Sequence, residues 1–119
     1  TAGAALHVHS IASTEFARLH GTSHPVLLEE LEMLKGWGMW EPGAKANLPI
    51  FTNHPDVPRI ADELAEWLQS PSENGPSQAP AMLISGHGMT AWGASIEEAH
   101  RHVEITEFMC QLGLSRLRA

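Results

Sequence analysis

Ala81-Met82-Leu83-Ile84-Ser85-Gly86-His87-Gly88, residues 81–88, is the stretch on which the fold turns. Residues 81–85 form a short apolar run between Pro80 and Gly86, a length that suits a buried strand. The strand ends at a histidine between two glycines, where the backbone can come close to its neighbours and the ring is free to point into a cleft. A second such run opens the chain: residues 3–9 are small and apolar and end in His7-Val8-His9. Strand side chains alternate, so His7 and His9 face the same way. Both histidine groups then lie at carboxyl ends of strands, where open α/β sheets commonly place ligands.

Outward from these two strands the chain alternates between elements. Ser10 caps a helix over 11–20 with Ile11, Ala12, Phe16 and Leu19 on one stripe, stopped at Gly21. Pro25 opens a second helix to Lys35, with Leu27, Leu31 and Leu34 at helical spacing. Gly36, Gly38, Pro42 and Gly43 make a loop. Leu48-Pro49-Ile50-Phe51 is a short strand, placed at an edge because Pro49 lacks an amide hydrogen. A third helix spans 58–69, with Ile60, Leu64, Trp67 and Leu68 on one face, and residues 70–80 form a surface loop. Ser95 and Glu98 form a capping box for a last helix over 96–112, whose shared face carries Ile96, Ala99, Val103 and Cys110. The order β-α-α-β-α-β-α predicts an α/β sandwich with helices against a sheet. Three short strands make a thin sheet with exposed edges, and Thr1-Ala2-Gly3-Ala4-Ala5-Leu6 reads as the inside of a buried strand. The expectation is therefore that the sequence starts mid-domain and that residues 1–119 form a single, partial domain.

Composition narrows the function. A length of 119 residues fits one small domain, and 43% hydrophobic residues are enough for a core. A net charge of −7 repels phosphate backbones, so a general nucleic-acid partner is not expected. No apolar run approaches the roughly 20 residues that span a bilayer, so no membrane partner is expected. One cysteine, Cys110, excludes an internal disulfide and points to a reducing compartment, the cytoplasm.

His7, His9 and His87 together, with one position left open, have the pattern of a catalytic zinc site. The competing reading is that His-x-His arises by chance on an exposed strand and that His87 lies elsewhere. The remaining histidines read as structural. His100 and His102 turn to different sides of a helix, solvated or bonded to neighbours such as Glu104, and His20, His24 and His54 sit in turns and caps. In the acidic cluster Glu29-Glu30-Glu32, Glu32 lies by helical angle beside Leu28 at the margin of the apolar stripe. Partial burial there suits it to proton transfer, slightly ahead of Glu29; a solvated face is the alternative.

These pieces also carry a resemblance. Leu6-His7-Val8-His9-Ser10, Glu32-Met33-Leu34-Lys35-Gly36, Leu48-Pro49-Ile50-Phe51 and Gly86-His87-Gly88-Met89-Thr90-Ala91-Trp92-Gly93 follow one another, then Glu97-Glu98-Ala99 and His102-Val103-Glu104. Together they resemble the C-terminal part of a class II aldolase/adducin-type domain. The Glu-Met-Leu-Lys-Gly and Thr-Ala-Trp-Gly pieces favour its methylthioribulose-1-phosphate dehydratase branch over sugar-phosphate aldolases and epimerases. The resemblance implies a three-layer α/β/α sandwich, here incomplete, usually assembled as a homotetramer with active sites near subunit interfaces. It implies His7, His9 and His87 as ligands of one Zn2+ per subunit, with other divalent metals able to replace it, and Glu32 as the acid/base carboxylate. It implies a phosphorylated methylthio-sugar as substrate and a dehydration in methionine salvage. The family's phosphate-binding loops precede the His-x-His strand and would lie before residue 1. Lys35, Lys45 and Arg18 read as surface cations, Trp92 as packing beside the metal loop, and Met89 as a core or site residue. An aldolase or epimerase, or a non-catalytic homologue or fragment acting by association, are the rival readings.

Overall fold

The computed structural model describes residues 2–71 and 74–118. Ser72 and Glu73 of the expected loop, and Thr1 of the opening run, lie outside the described residues. In chain order the elements are β1 (Ala4–Val8), α1 (Ile11–His20), β2 (Val26–Glu29), a 3-10 segment (Glu32–Trp37), β3 (Lys45–Leu48), β4 (Ile50–Phe51), α2 (Val57–Leu68), β5 (Ser77–Gln78), β6 (Ala81–Ile84), β7 (Gly88–Gly93) and α3 (Ile96–Arg118). They build a mixed α/β fold, as the periodicity predicts.

The strand at 81–84 organises it. β6 turns back on itself and pairs with β7, β7 pairs antiparallel with β1, and β4 lies parallel to β6, giving the order β1-β7-β6-β4. Hence β1, β6 and β4 run in one direction, and their carboxyl ends share one edge. β4 is an edge strand, as Pro49 requires. Pro49 splits the extended stretch 45–51 in two. Upstream of it, β3 joins β2 and β5 in a second sheet; downstream, β4 joins β6. The carbonyl of Pro49 still accepts the Leu83 N–H at 2.9 Å, so the pairing with β6 already begins at the proline.

Alternation along β6 separates two apolar layers. Ala81 and Leu83 join Met89, Ala91, Phe16, Ile105, Met109 and Cys110 in the main core beneath α1 and α3. Met82 and Ile84 point the other way, to Ile60 of α2, with Leu64, Phe51 and Trp92 partly buried around them. Side chains the size of Leu83 and Met89, fully buried, each contribute about 1.5–3 kcal/mol. Met89 is therefore a core residue. Cys110 is free and fully buried, and burial, followed by the charge of Glu107, pushes its thiol up.

Several expectations need correction. Among the described residues seven strands form rather than the expected three. The segment expected as a helix over 25–35 is a strand followed by a 3-10 segment. The spacing of Leu27, Leu31 and Leu34 concealed a period of two: Val26 and Leu28 are buried opposite Leu48 and Ala46, while Leu27 is 48% exposed. Glu30, at φ +58, breaks the chain between the two pieces. The expected loop over 70–80 contains β5. The α1 stripe is Ala12, Ser13, Phe16 and Ala17, with Ile11 and Leu19 exposed. On α3, Ile96 is 66% exposed and the helix runs past 112 to Arg118. The caps hold. Ser10 Oγ accepts the Ser13 N–H at 3.1 Å, Ser95 Oγ accepts the Glu98 N–H at 3.2 Å, and Glu98 Oε1 accepts the Ala94 N–H at 3.3 Å.

Candidate metal centre

His7 occupies the penultimate position of β1, and His9 lies just beyond the strand's end. Their shared orientation follows from the pleat. His87 arrives from the turn between β6 and β7. The His87 N–H closes that turn on the Ile84 carbonyl at 3.0 Å, with Gly86 at φ +67, a conformation glycine adopts without strain. Gly88 brings the turn against β1: a Cβ on it would lie 2.2 Å from the Val8 carbonyl oxygen. The two glycines thus set how closely the hairpin approaches the His-x-His end. Thr14 of α1 adds a third tie, its hydroxyl donating to the His87 carbonyl at 3.1 Å.

The three imidazoles meet at their Nε2 atoms. His7 and His9 are 2.9 Å apart there, His9 and His87 3.0 Å, and His7 and His87 3.3 Å. The outer nitrogens are also engaged. His87 Nδ1–H donates to Asn53 Oδ1 at 3.0 Å, and His7 Nδ1 lies 3.0 Å from Thr90 Oγ1. A carboxamide oxygen only accepts, so the proton of neutral His87 sits on Nδ1 and its Nε2 presents a lone pair to the cluster. Partial burial, then the charges of His7 and His9, hold His87 below the ordinary imidazole value of 6.5, which keeps it neutral.

Three nitrogens converging so closely, one of them a lone pair fixed in place, are complementary to a cation. A tetrahedral metal with bonds of about 2.0 Å sets its ligand nitrogens about 3.3 Å apart, close to the separations here. Among the described residues, this is the group of histidine, cysteine and carboxylate side chains positioned to hold a metal. His7 and His9 are exposed and His87 is half-buried, so the cluster opens to solvent on one side, as a catalytic site requires.

The structure brings the three histidines together and leaves Glu32 apart. Glu32 is not partly buried: its side chain is 80% exposed and pairs with Lys35 at 3.0 Å, because it opens a 3-10 segment rather than flanking a helical stripe. Among the described residues, no hydrogen bond joins it to the imidazoles. It lines a groove with Glu30, Trp40 and Ala44. The residues of that groove precede β3, whereas Asn53 follows β4 in the other sheet. The other cations also sit at the surface, Lys45 paired with Glu29 and Arg18 with Glu15. Of the remaining histidines, His100 lies 3.5 Å from Glu104. His102 is buried with Nδ1 2.6 Å from the Trp92 carbonyl, a core hydrogen bond and not a solvated one.

Thr90 and Asn53 were not singled out by their sequence context. Thr90 faces His7 only through the β1–β7 register. Asn53 lies two residues past Phe51, whose carbonyl accepts the N–H of Ser85, two residues before His87. The one available signal for Asn53 was a polar residue just beyond a strand at the ligand-binding edge.

Comparison with known proteins gives the family. The model of the class II aldolase and adducin N-terminal domain matches residues 1–114. A methylthioribulose-1-phosphate dehydratase of Leptospira biflexa is 39% identical over 114 residues, covering 92% of this chain and 53% of the relative. One of Geobacillus kaustophilus is 33% identical over 116 residues, covering 98% and 52%. The chain thus spans about half the length of the curated relatives it matches. In fold it is similar to L-fuculose-1-phosphate aldolase of Thermus thermophilus, with a TM-score of 0.63 at 22% identity over 97% of this chain and 53% of that one. With nearly all of its length matched, the chain belongs to the class II aldolase and adducin N-terminal domain family.

Proposed function

We propose that this chain carries the metal centre of a hydro-lyase that dehydrates 5-methylthioribulose 1-phosphate to 2,3-diketo-5-methylthiopentyl 1-phosphate in methionine salvage, in the cytoplasm. The convergence of His7, His9 and His87 at Nε2 carries the reading. The names of the two dehydratase relatives supply the reaction. Zinc is the assigned metal, since three neutral imidazoles with an open position are its catalytic pattern; iron and manganese accept the same donors.

The substrate has a ketone at C2, a hydroxyl at C3 and a leaving hydroxyl at C4. When bound, the cation supplies positive charge against the negative charge that builds on oxygen as C3 loses its proton. His7, His9 and His87 would hold it, and Asn53 and Thr90 keep two of these rings in orientation. Glu32 is assigned the proton movement, taking one from C3 or giving one to the departing C4 hydroxyl. Its exposure and its pairing with Lys35, with no hydrogen bond to the imidazoles among the described residues, favour service to a neighbouring subunit's site. That suits a homotetramer with active sites near its interfaces.

The test combines metal analysis with product mass. The protein should hold about one metal per chain, as one such cluster allows, and convert the phosphorylated methylthio-sugar to a product lighter by one water. Carbon–carbon cleavage of a sugar phosphate would make it an aldolase, and an isomer of unchanged mass an epimerase. A folded, metal-free, inactive chain would leave only a role in association.

A further inference from the structure

The metal-facing direction of His87 depends on Asn53, and nothing regular holds Asn53. It lies in residues 52–56, between β4 and α2, outside any strand or helix. A turn within that segment and a contact from it to α2 tie it down. The His54 N–H donates to the Thr52 carbonyl at 2.9 Å, a tight local turn at Asn53 itself. The His54 side chain, 13% exposed, lies with Nε2 2.9 Å from Glu63 Oε1 in the middle of α2. α2 is anchored in its turn through Ile60, buried against Met82 and Ile84 of β6. The path from Glu63 therefore runs by a hydrogen bond to His54, along the backbone to Asn53 and by a second hydrogen bond to the His87 ring, in the turn that follows β6, the strand α2 packs against.

We propose that the His54–Glu63 pair is a positioning device for the metal centre. By fixing the 52–56 segment to α2, it holds Asn53 with Oδ1 toward His87 Nδ1, and so keeps the Nε2 lone pair of His87 directed at His7 and His9. Neither His54 nor Glu63 touches the metal position; both act through Asn53. This rests on the three histidines being the metal centre, as proposed above.

Cobalt serves as the probe, because its visible spectrum reports ligand geometry and its affinity is measured against a coloured chelator. Asn53→Ala should weaken cobalt binding about 10- to 100-fold, the usual effect of losing a partner behind a metal-bound histidine. Glu63→Ala should give a smaller loss, about 3- to 10-fold, with a shifted cobalt spectrum. Glu63→Gln keeps an acceptor oxygen for His54 and should restore both. The double variant Asn53→Ala/Glu63→Ala should lose no more than Asn53→Ala alone, because the second residue acts only through the first. Circular dichroism before and after heating controls for folding, and the Gln variant covers the case in which Glu63→Ala does not fold. Two results overturn the proposal by itself, given normal binding by the unchanged protein: wild-type affinity and spectrum in Glu63→Ala, or losses that add fully in the double variant. Failure of the unchanged protein to bind cobalt or zinc overturns the metal-centre reading, and this proposal with it.

Discussion

At the carboxyl edge of the four-stranded sheet, His7 and His87 each have a neighbour behind the ring, Thr90 and Asn53. The turn that delivers His87 is bound by its backbone to β6 and α1. In the segment from β2 to β3, Glu32 stands at the surface beside Lys35, after a residue in the left-handed region. One region is ordered by strand register and close backbone approach, the other by a sheet edge and a short 3-10 segment against α3, where Arg101 Nε–H reaches the Gly36 carbonyl at 3.4 Å. The contrast separates two tasks. Holding a cation needs several atoms fixed relative to one another within one chain, whereas moving a proton needs one carboxylate that can come from elsewhere.

The strongest way to break this contrast is to remove one imidazole from the fixed side. His87→Ala should abolish stoichiometric metal and turnover together, since two imidazoles remain where three are required; full metal content in the purified variant would defeat the ligand assignment. Glu32→Gln tests the other side. It should keep its metal and lose roughly 100- to 10,000-fold in rate, the usual worth of a general acid or base. Unchanged turnover would remove Glu32 from the chemistry.

A third test, with a pair of variants, asks whether residues 26–29 are a strand. Leu28→Ala, at a buried position, should cost about 2–5 kcal/mol. Leu27→Thr, at a half-exposed strand position, should stay within about 0.5 kcal/mol. Denaturant melts that reverse the order would restore the helix.

The smallest effect is with pH. The folded value of His87 lies below 6.5, so the unfolded chain takes up that proton first as pH falls. The contribution of this group to stability is therefore complete above pH 6.5 and lost as the solution is acidified through the lowered value. Protons also compete for the ligand nitrogens, so metal affinity should decline over the same range. A titration in which affinity stays level down to about pH 4 would argue against a three-imidazole site.

The same contrast explains what could be read from the residues alone. His7 and His9 share a face by the geometry of any strand, and residues 81–84 could be little else. That His87 meets the pair was a matter of register between segments 80 residues apart, and no local pattern encodes it. The Ser10 and Ser95 caps were legible because capping is a contact within one turn. β2 was not, because three leucines at helical spacing coincide with a two-residue alternation, and only pairing with β3 decides between them. The expected partial burial of Glu32 rested on that same helical reading.

Cys110 offers a use of its own. The lone thiol sits at 0% exposure in the layer beneath α1 and α3, and its environment disfavours the thiolate on which alkylation depends. Reagents should leave it unmarked until that layer opens. The pace of its labelling is then a clock for breathing of the sheet–helix seam, and the difference in that pace with and without a bound ion would read how far clamping one rim of the sheet stiffens the interior behind it.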